Sequence, residues 1–285
     1  MAGAAREEGE AERAALRRAL SELDALLGTD GGRGSGFRDR CDPLVDQLST
    51  PSAAFLRAEL EQRLARYVDA DDSFARDQIA HVLAVACGQD ALPALLRAMV
   101  TDRNDDGDTL QLDVLHLFRE WPETSLKLSL DCTASDDPGM RRVGLWGLSI
   151  IDFTGATYFG LVAEAASDPD PGVRADAMST LGTVFAEGNP SQALAILING
   201  TSDVAPEVRR GAVMALGTSR EETVTDVLVA RTSDVDPWVR YRAAWGLAGR
   251  PSSRARAALE RLMTDEDGDV RDAARQALAR PIKGP

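Results

Sequence analysis

The chain has 285 residues, 44% of them apolar and 5% aromatic, with a net charge of −14. The apolar share excludes a disordered chain, and the shortage of aromatics beside abundant Ala and Leu disfavours a β-sandwich. The acidity argues against a general nucleic-acid binder, whose phosphate target it repels; no run of about 18 apolar residues stands in the chain, so no membrane span is expected.

Residues 1–20, MAGAAREEGEAERAALRRAL, are charged throughout and lack the apolar core of a signal peptide. Leu16, Leu20, Leu23 and Leu27 recur at spacings of three and four, which predicts an amphipathic helix over 4–27. GTDGGRGSG, residues 28–36, has five glycines in nine residues and reads as a flexible linker. On such a tether the helix is expected to be mobile, able to fold back as a cap or inhibitor. Cys41, Cys87 and Cys132 are widely spaced and odd in number, fitting neither a disulfide framework nor a zinc pattern. They read as reduced thiols of a cytoplasmic protein.

From 37 to 285 the chain is repetitive. DPDPGVRADAMSTLG begins at Asp168, DVAPEVRRGAVMALG at Asp203, DVDPWVRYRAAWGLAGR at Asp234 and DEDGDVRDAARQALA at Asp265. The Val-Arg arginine sets a register through Arg76, Gln111 in a degenerate copy, Arg141, Arg174, Arg209, Arg240 and Arg271. Its spacings are 35, 30, 33, 35, 31 and 31. A period in the thirties, in units too small to bury a face alone, predicts a solenoid. Each unit reads as helix A, an Asp/Pro turn, then helix B. Helix A candidates lie at 156–167, 190–200, 223–232 and 254–264. Pro171, Pro206 and Pro237 fall in the first turn of helix B, where a missing N–H costs nothing. Asp105, Asp168, Asp203, Asp234 and Asp265 stand six residues before the register position. They are expected to cap N–H groups at the turn and to pair with Arg174, Arg209, Arg240 and Arg271, in their own or neighbouring units, as a structural ladder.

The Asp-x-x-Pro-x-Val-Arg-x-x-Ala-x-x-Ala-Leu-Gly strings at 168–182, 203–217 and 234–247, with looser copies at 72–83, 105–118, 136–148 and 265–278, resemble HEAT repeats. The resemblance is closest to the HEAT-like repeats of the phycobilin-lyase type. It implies an all-α fold: an α-solenoid, a right-handed superhelix of about seven helix-turn-helix repeats. It also implies that the free side of helix B lines a concave binding surface.

With the register arginine as zero, positions −1, +3, +6, +7 and +10 of helix B cluster on one side and should form the core. Positions +1, +5, +8 and +12 point away. Position +5 holds His81, His116, Trp146, Ser179, Met214, Trp245 and Gln276; position +1 includes Arg142, Arg210 and Tyr241. Position +8 is small in most copies and reads as a groove floor. Trp, Tyr and Arg dominate protein-binding hot spots. The candidate contacts are therefore Arg142, Trp146, Met214, Trp238, Tyr241, Trp245, His81 and His116.

Chemistry is sparse. There is no G-x-S-x-G elbow and no P-loop ending on Lys-Ser/Thr. There is also no His-Glu pair of the di-iron type found among HEAT-type enzymes. DRNDDGD, Asp102–Asp108, resembles a calcium loop but has Asp113 where the twelfth-position glutamate belongs. His81 and His116 lie in different units without Cys or His-x-x-x-His partners, so no metal is expected; no catalytic residue and no cofactor are assigned. The leading expectation is a non-catalytic scaffold that binds a protein or peptide on the concave face. The alternative is an enzyme or small-molecule binder with a pocket around Arg142, Trp146, Tyr241 and Trp245.

Overall fold

The computed structural model describes residues 2–28, 36–101, 109–151, 158–182, 190–219 and 221–281. Most of the glycine-rich linker, the Asp102–Asp108 run and the first two residues of the 156–167 helix candidate lie outside them. All regular structure among the described residues is helical. The chain divides into two units, Met1–Leu128 and Ser129–Pro285.

Unit 1 holds α1 (Ala2–Leu27), α2 (Phe37–Leu48), a tight turn at Pro51–Leu56, α3 (Arg57–Asp69), α4 (Ser73–Cys87), α5 (Leu92–Val100) and α6 (Thr109–Glu120). The division between units falls within α7 (Pro122–Thr133). The leucine stripe of α1 is spent here. Leu16, Leu20, Leu23 and Leu27 are buried as α1 packs on α2 and the Pro51–Leu56 turn, each worth about 1.5–3 kcal/mol. Polar contacts lock the far end of α1. Asp24 takes hydrogen bonds from Arg66 and, at 2.8 Å, from the Tyr67 hydroxyl, and it lies 3.4 Å from Arg63 Nε. Burial and the Asp24 carboxylate push the Tyr67 phenol up to about 12. The helix expected to be mobile on a tether is thus a packed layer of unit 1.

By length and composition Ser73–Val100 would pass for a membrane span, contrary to the expectation from consecutive apolar residues, but 61% of its apolar window is buried inside the protein. It is the core of unit 1, and it turns at Gly88. That residue has φ +55°, and a Cβ there would stand 2.8 Å from the Trp121 ring, so both backbone and space require glycine.

Unit 2 is a stack of helix pairs: the end of α7 with α8 (Pro138–Ile151), α9 (Phe159–Ala165) with α10 (Pro171–Thr180), α11 (Pro190–Gly200) with α12 (Pro206–Thr218), α13 (Glu222–Arg231) with α14 (Pro237–Leu247), and α15 (Ser253–Leu262) with α16 (Gly268–Ala279). The second helices pack on one another in the order α8, α10, α12, α14, α16. The fold is an α-solenoid. Pro171, Pro206 and Pro237 open their helices as the sequence predicts. The helix caps are Asp170, Asp236 and Asp267, accepting from Val173, Val239 and Val270 at 3.0–3.1 Å. The helix-capping residue therefore stands four positions before the register arginine, while the aspartate at −6 caps an N–H of the turn itself, as expected.

The aspartate at −6 does two jobs. Its Oδ1 accepts the N–H two residues on, at 2.8–2.9 Å, from Asp170, Ala205, Asp236 and Asp267. Its carboxylate also takes a bidentate fork from the arginine of the preceding repeat. Arg141 holds Asp168, Arg174 holds Asp203, Arg209 holds Asp234 and Arg240 holds Asp265, all through Nε and Nη2 at 2.7–2.9 Å. Nη1 of each later arginine donates to two carbonyls of its own turn, for Arg174 those of Asp168 and Pro169 at 2.9 and 3.2 Å. Burying two charges repays its desolvation cost when the remaining donors are also satisfied, and here they are. The Arg141 fork holds the Asp168 carboxyl below the usual carboxylate range. Burial pushes Asp234 up, but the Arg209 fork outweighs it and the net shift is downward. Arg271 keeps the two carbonyl bonds, to Asp265 and Glu266. Among the described residues no carboxylate faces its fork.

Close approach between second helices depends on small residues. Position +8 is not a groove floor: a Cβ on Gly182 would collide with Ala215, and one on Gly217 would sit 3.3 Å from the Cα of Gly246. These are contacts of +8 on one helix with +6 on the next. Position +4 is buried as well, at Met178, Val213 and Ala244.

Arg209→Met leaves the Asp234 carboxylate buried without its fork and should cost about 3–5 kcal/mol in urea denaturation. Asp234→Asn in the same chain, which keeps an acceptor for the Asp236 N–H, should restore part of the loss. Gly144→Ala would set a Cβ 2.6 Å from the Thr133 backbone nitrogen and 2.8 Å from the Ser129 carbonyl oxygen of α7. Since backbone must move, it should lower stability by about 1–3 kcal/mol by the same assay.

Candidate aromatic face on the second helices

α14 carries Trp238 at −2, Tyr241 at +1 and Trp245 at +5, spacings of three and four that line one helix face. Their rings form a row. Trp238 and Tyr241 meet edge-on at 5.5 Å between centroids, and Tyr241 and Trp245 at 6.3 Å, separations at which aromatic pairs add about 0.5–1.5 kcal/mol. Arg242 lies 5.9 Å from the Tyr241 ring, and Arg280, which follows α16, lies 4.6 Å from the Trp245 ring. Trp238 is 50% exposed and Tyr241 and Trp245 are half-buried. The row is held from within and open at its Trp238 end. On α12, the next second helix in the stack, Met214 is 40% exposed.

The +1 arginines have settled partners. Arg210 forks onto Asp236, its Nε 2.9 Å from Oδ1. Arg142 forks onto Asp176 of α10, its Nε 2.7 Å from Oδ2. They make a second line of links between repeats, so Arg142 is a surface ion-pair partner rather than an unengaged cation. Trp146 is half-buried on α8. Two second helices, α10 and α12, lie between α8 and α14. At 8–10 Å per helix pair this is about 25–30 Å. The structure therefore does not bring Arg142 and Trp146 to Tyr241 and Trp245, and the four do not form one pocket.

His81 and His116 belong to unit 1. His81 Nδ1 lies 3.0 Å from Asp113 Oδ1, linking α4 to α6. That hydrogen bond raises the His81 pKa above its ordinary value, with burial acting the other way. His116 is exposed and 3.6 Å from Glu120 on its own helix. His81 is thus an internal link, a role that the +5 position alone does not reveal; the cue was Asp113, at +2 in the next unit.

Residues 194–279 match the family model for HEAT repeats. A search of curated proteins finds no match. Among solved structures the chain is similar to the X-ray structure of YibA of E. coli, with 17% identity, 94% of this chain and 97% of that one covered, and a TM-score of 0.53. It is also similar to a designed armadillo repeat protein in complex with the peptide (KR)4, at 17% identity over 77% of this chain and 98% of that one, with a TM-score of 0.49. A chain of the Pds5–Scc1 complex matches at 14% identity over 93% and 49%, with a TM-score of 0.44. The matched segment, residues 194–279, is a run of HEAT repeats.

A raised histidine pKa adds stability that is complete below the unfolded value, about 6.5, and is lost as pH rises through the folded value. Thermal melts of the parent and His81→Gln should differ most at about pH 5.5–6 and converge on the alkaline side.

Proposed function

We propose that this protein is a non-catalytic scaffold that binds a protein or peptide on the exposed face of its second helices, anchored by Trp238, Tyr241 and Trp245 of α14 with Met214 of α12. The observation that carries this reading is the aromatic row itself. Three large rings meet edge-to-face along one helix face and are locked by mutual contact, yet Trp238 remains half exposed. Rigid aromatics of this kind lose little conformational freedom on binding and are typical anchors. The exposed surfaces of Trp238 and Met214 also take no part in the stack, whose contacts are made by the Arg–Asp forks and the small residues. The three cysteines form no disulfide, which suits a reducing compartment, and the proposal includes a cytoplasmic location.

Affinity purification from the source cell, with the parent beside a Met214→Ala/Trp238→Ala/Tyr241→Ala variant, tests the reading. The variant should lose a protein that the parent retains, and titration of that protein should show at least a ~30-fold loss of affinity. Circular dichroism must first show the same fold in both. Equal retention by parent and variant refutes the anchor assignment.

A further inference from the structure

Charge is unevenly spread along the chain. From Pro237 to Pro285 there are ten basic and six acidic residues, a balance of +4 in a chain of −14. Three of the arginines meet at a cavity of about 350 Å³ formed by the end of α14, the start of α15 and the end of α16. Arg250, Arg256 and Arg280 line it together with Ser252 and Ser253; among the described residues no Asp or Glu does. The rest of the lining is largely apolar, chiefly Leu247, Leu259 and Leu278. The volume falls at the lower end of the range for small-ligand sites, about 300–1,000 Å³.

The three arginines are differently placed. Arg250 donates to the Gly246 and Ser219 carbonyls at 2.7 and 2.8 Å and to Thr225 Oγ1 at 3.2 Å, which fixes its side chain in the wall. Arg256 gives Nε to Glu260, one turn along its own helix, at 2.9 Å. Both side chains of that pair are more than half exposed, a kind of link worth little and readily exchanged. Arg280 stacks on Trp245, and among the described residues no carboxylate pairs with it. Stacking occupies the face of a guanidinium and leaves its in-plane N–H donors for a forked acceptor. The first turn of α15 adds partial positive charge, since Ser252 caps only the Ala255 N–H.

We propose that this cavity binds a carboxylate carried on an apolar body. Arg256 and Arg280 clamp the carboxylate, and Leu247, Leu259 and Leu278 receive the apolar part. Two sources share this chemistry, a free aliphatic acid and the C-terminal residue of a peptide. The site is independent of whether the aromatic face of α14 takes a protein.

The full-length chain is titrated by calorimetry and tryptophan fluorescence with hexanoate, N-acetyl-leucyl-leucine, the C-terminal amide of that dipeptide, and inorganic phosphate. At least one of the two acids should saturate, with a change in emission as Arg280 shifts on Trp245. The amide and phosphate should bind at least ~10-fold more weakly, and Arg256→Gln and Arg280→Gln should each weaken the acid ~10-fold without lowering the melting temperature. Saturation by hexanoate identifies a free acid as sufficient; saturation by the dipeptide acid alone identifies a chain terminus. The proposal is overturned if neither acid saturates by about 10 mM, if the amide or phosphate binds as well as the acid, or if the Arg256→Gln/Arg280→Gln double variant binds like the parent.

Discussion

Unit 2 depends on one repeated interaction, the fork of an arginine onto the aspartate that opens the next turn. Arg141, Arg174, Arg209 and Arg240 each join three things: their own turn through two carbonyls, the next turn through a carboxylate, and, through that carboxylate, the backbone N–H two residues beyond. The pair fixes the rise from one repeat to the next at a single register. It also explains why buried charge is tolerated: no member of the pair is left with an unmet hydrogen bond of consequence.

The fork operates at the turns, and glycine and alanine operate along the helices. Gly182 against Ala215 and Gly217 against Gly246 let second helices approach closely, and Gly144 lets α8 approach the α7 backbone. Registered turns and close helices together bury positions −1, +3, +4, +6 and +7 in unit 2 and leave +1 and +5 at the edge of the contact. That edge is where Tyr241, Trp245 and Met214 stand. Unit 1 reaches the same kind of packing by less regular means. Gln111 replaces the arginine of one copy, Asp77 beside Arg76 takes its guanidinium within the same helix, and α1 contributes a leucine layer.

The fold was legible because its causes recur. A period near 33, prolines at fixed offsets and an Asp–Arg register are statements about every unit at once, and the leucines of α1 declared its apolar side. What stayed hidden was the choice between equivalent partners. Asp168 reads equally well as a helix cap or as a link, and only the path of the turn hands the cap to Asp170. The small residues at +8 look alike whether they floor a groove or admit a neighbouring helix, because periodicity gives the direction of a side chain and not what stands opposite. The same limit applied to Arg142, whose partner Asp176 sits in the following repeat. Along α14 the spacing of Trp238, Tyr241 and Trp245 was enough to place them on one face, but the cavity beyond its end depends on where α15 and α16 start and stop. Helix boundaries of that kind are set by Gly249 at φ +71° and the Ser252 cap, which pattern reading does not resolve.

The links of the ladder join nearest neighbours only, and this shapes how such a chain can change over generations. The residues that hold a repeat in line are confined to its turn and its inner face, so a substitution at +1 or +5 leaves them untouched. Recognition can then drift one repeat at a time while the stack persists. A tryptophan can be acquired on α14 or a histidine recruited into a link on α4 without renegotiating the whole. The uneven outer face of this protein, aromatic in one repeat and small or charged in the next, is what such independence would leave behind.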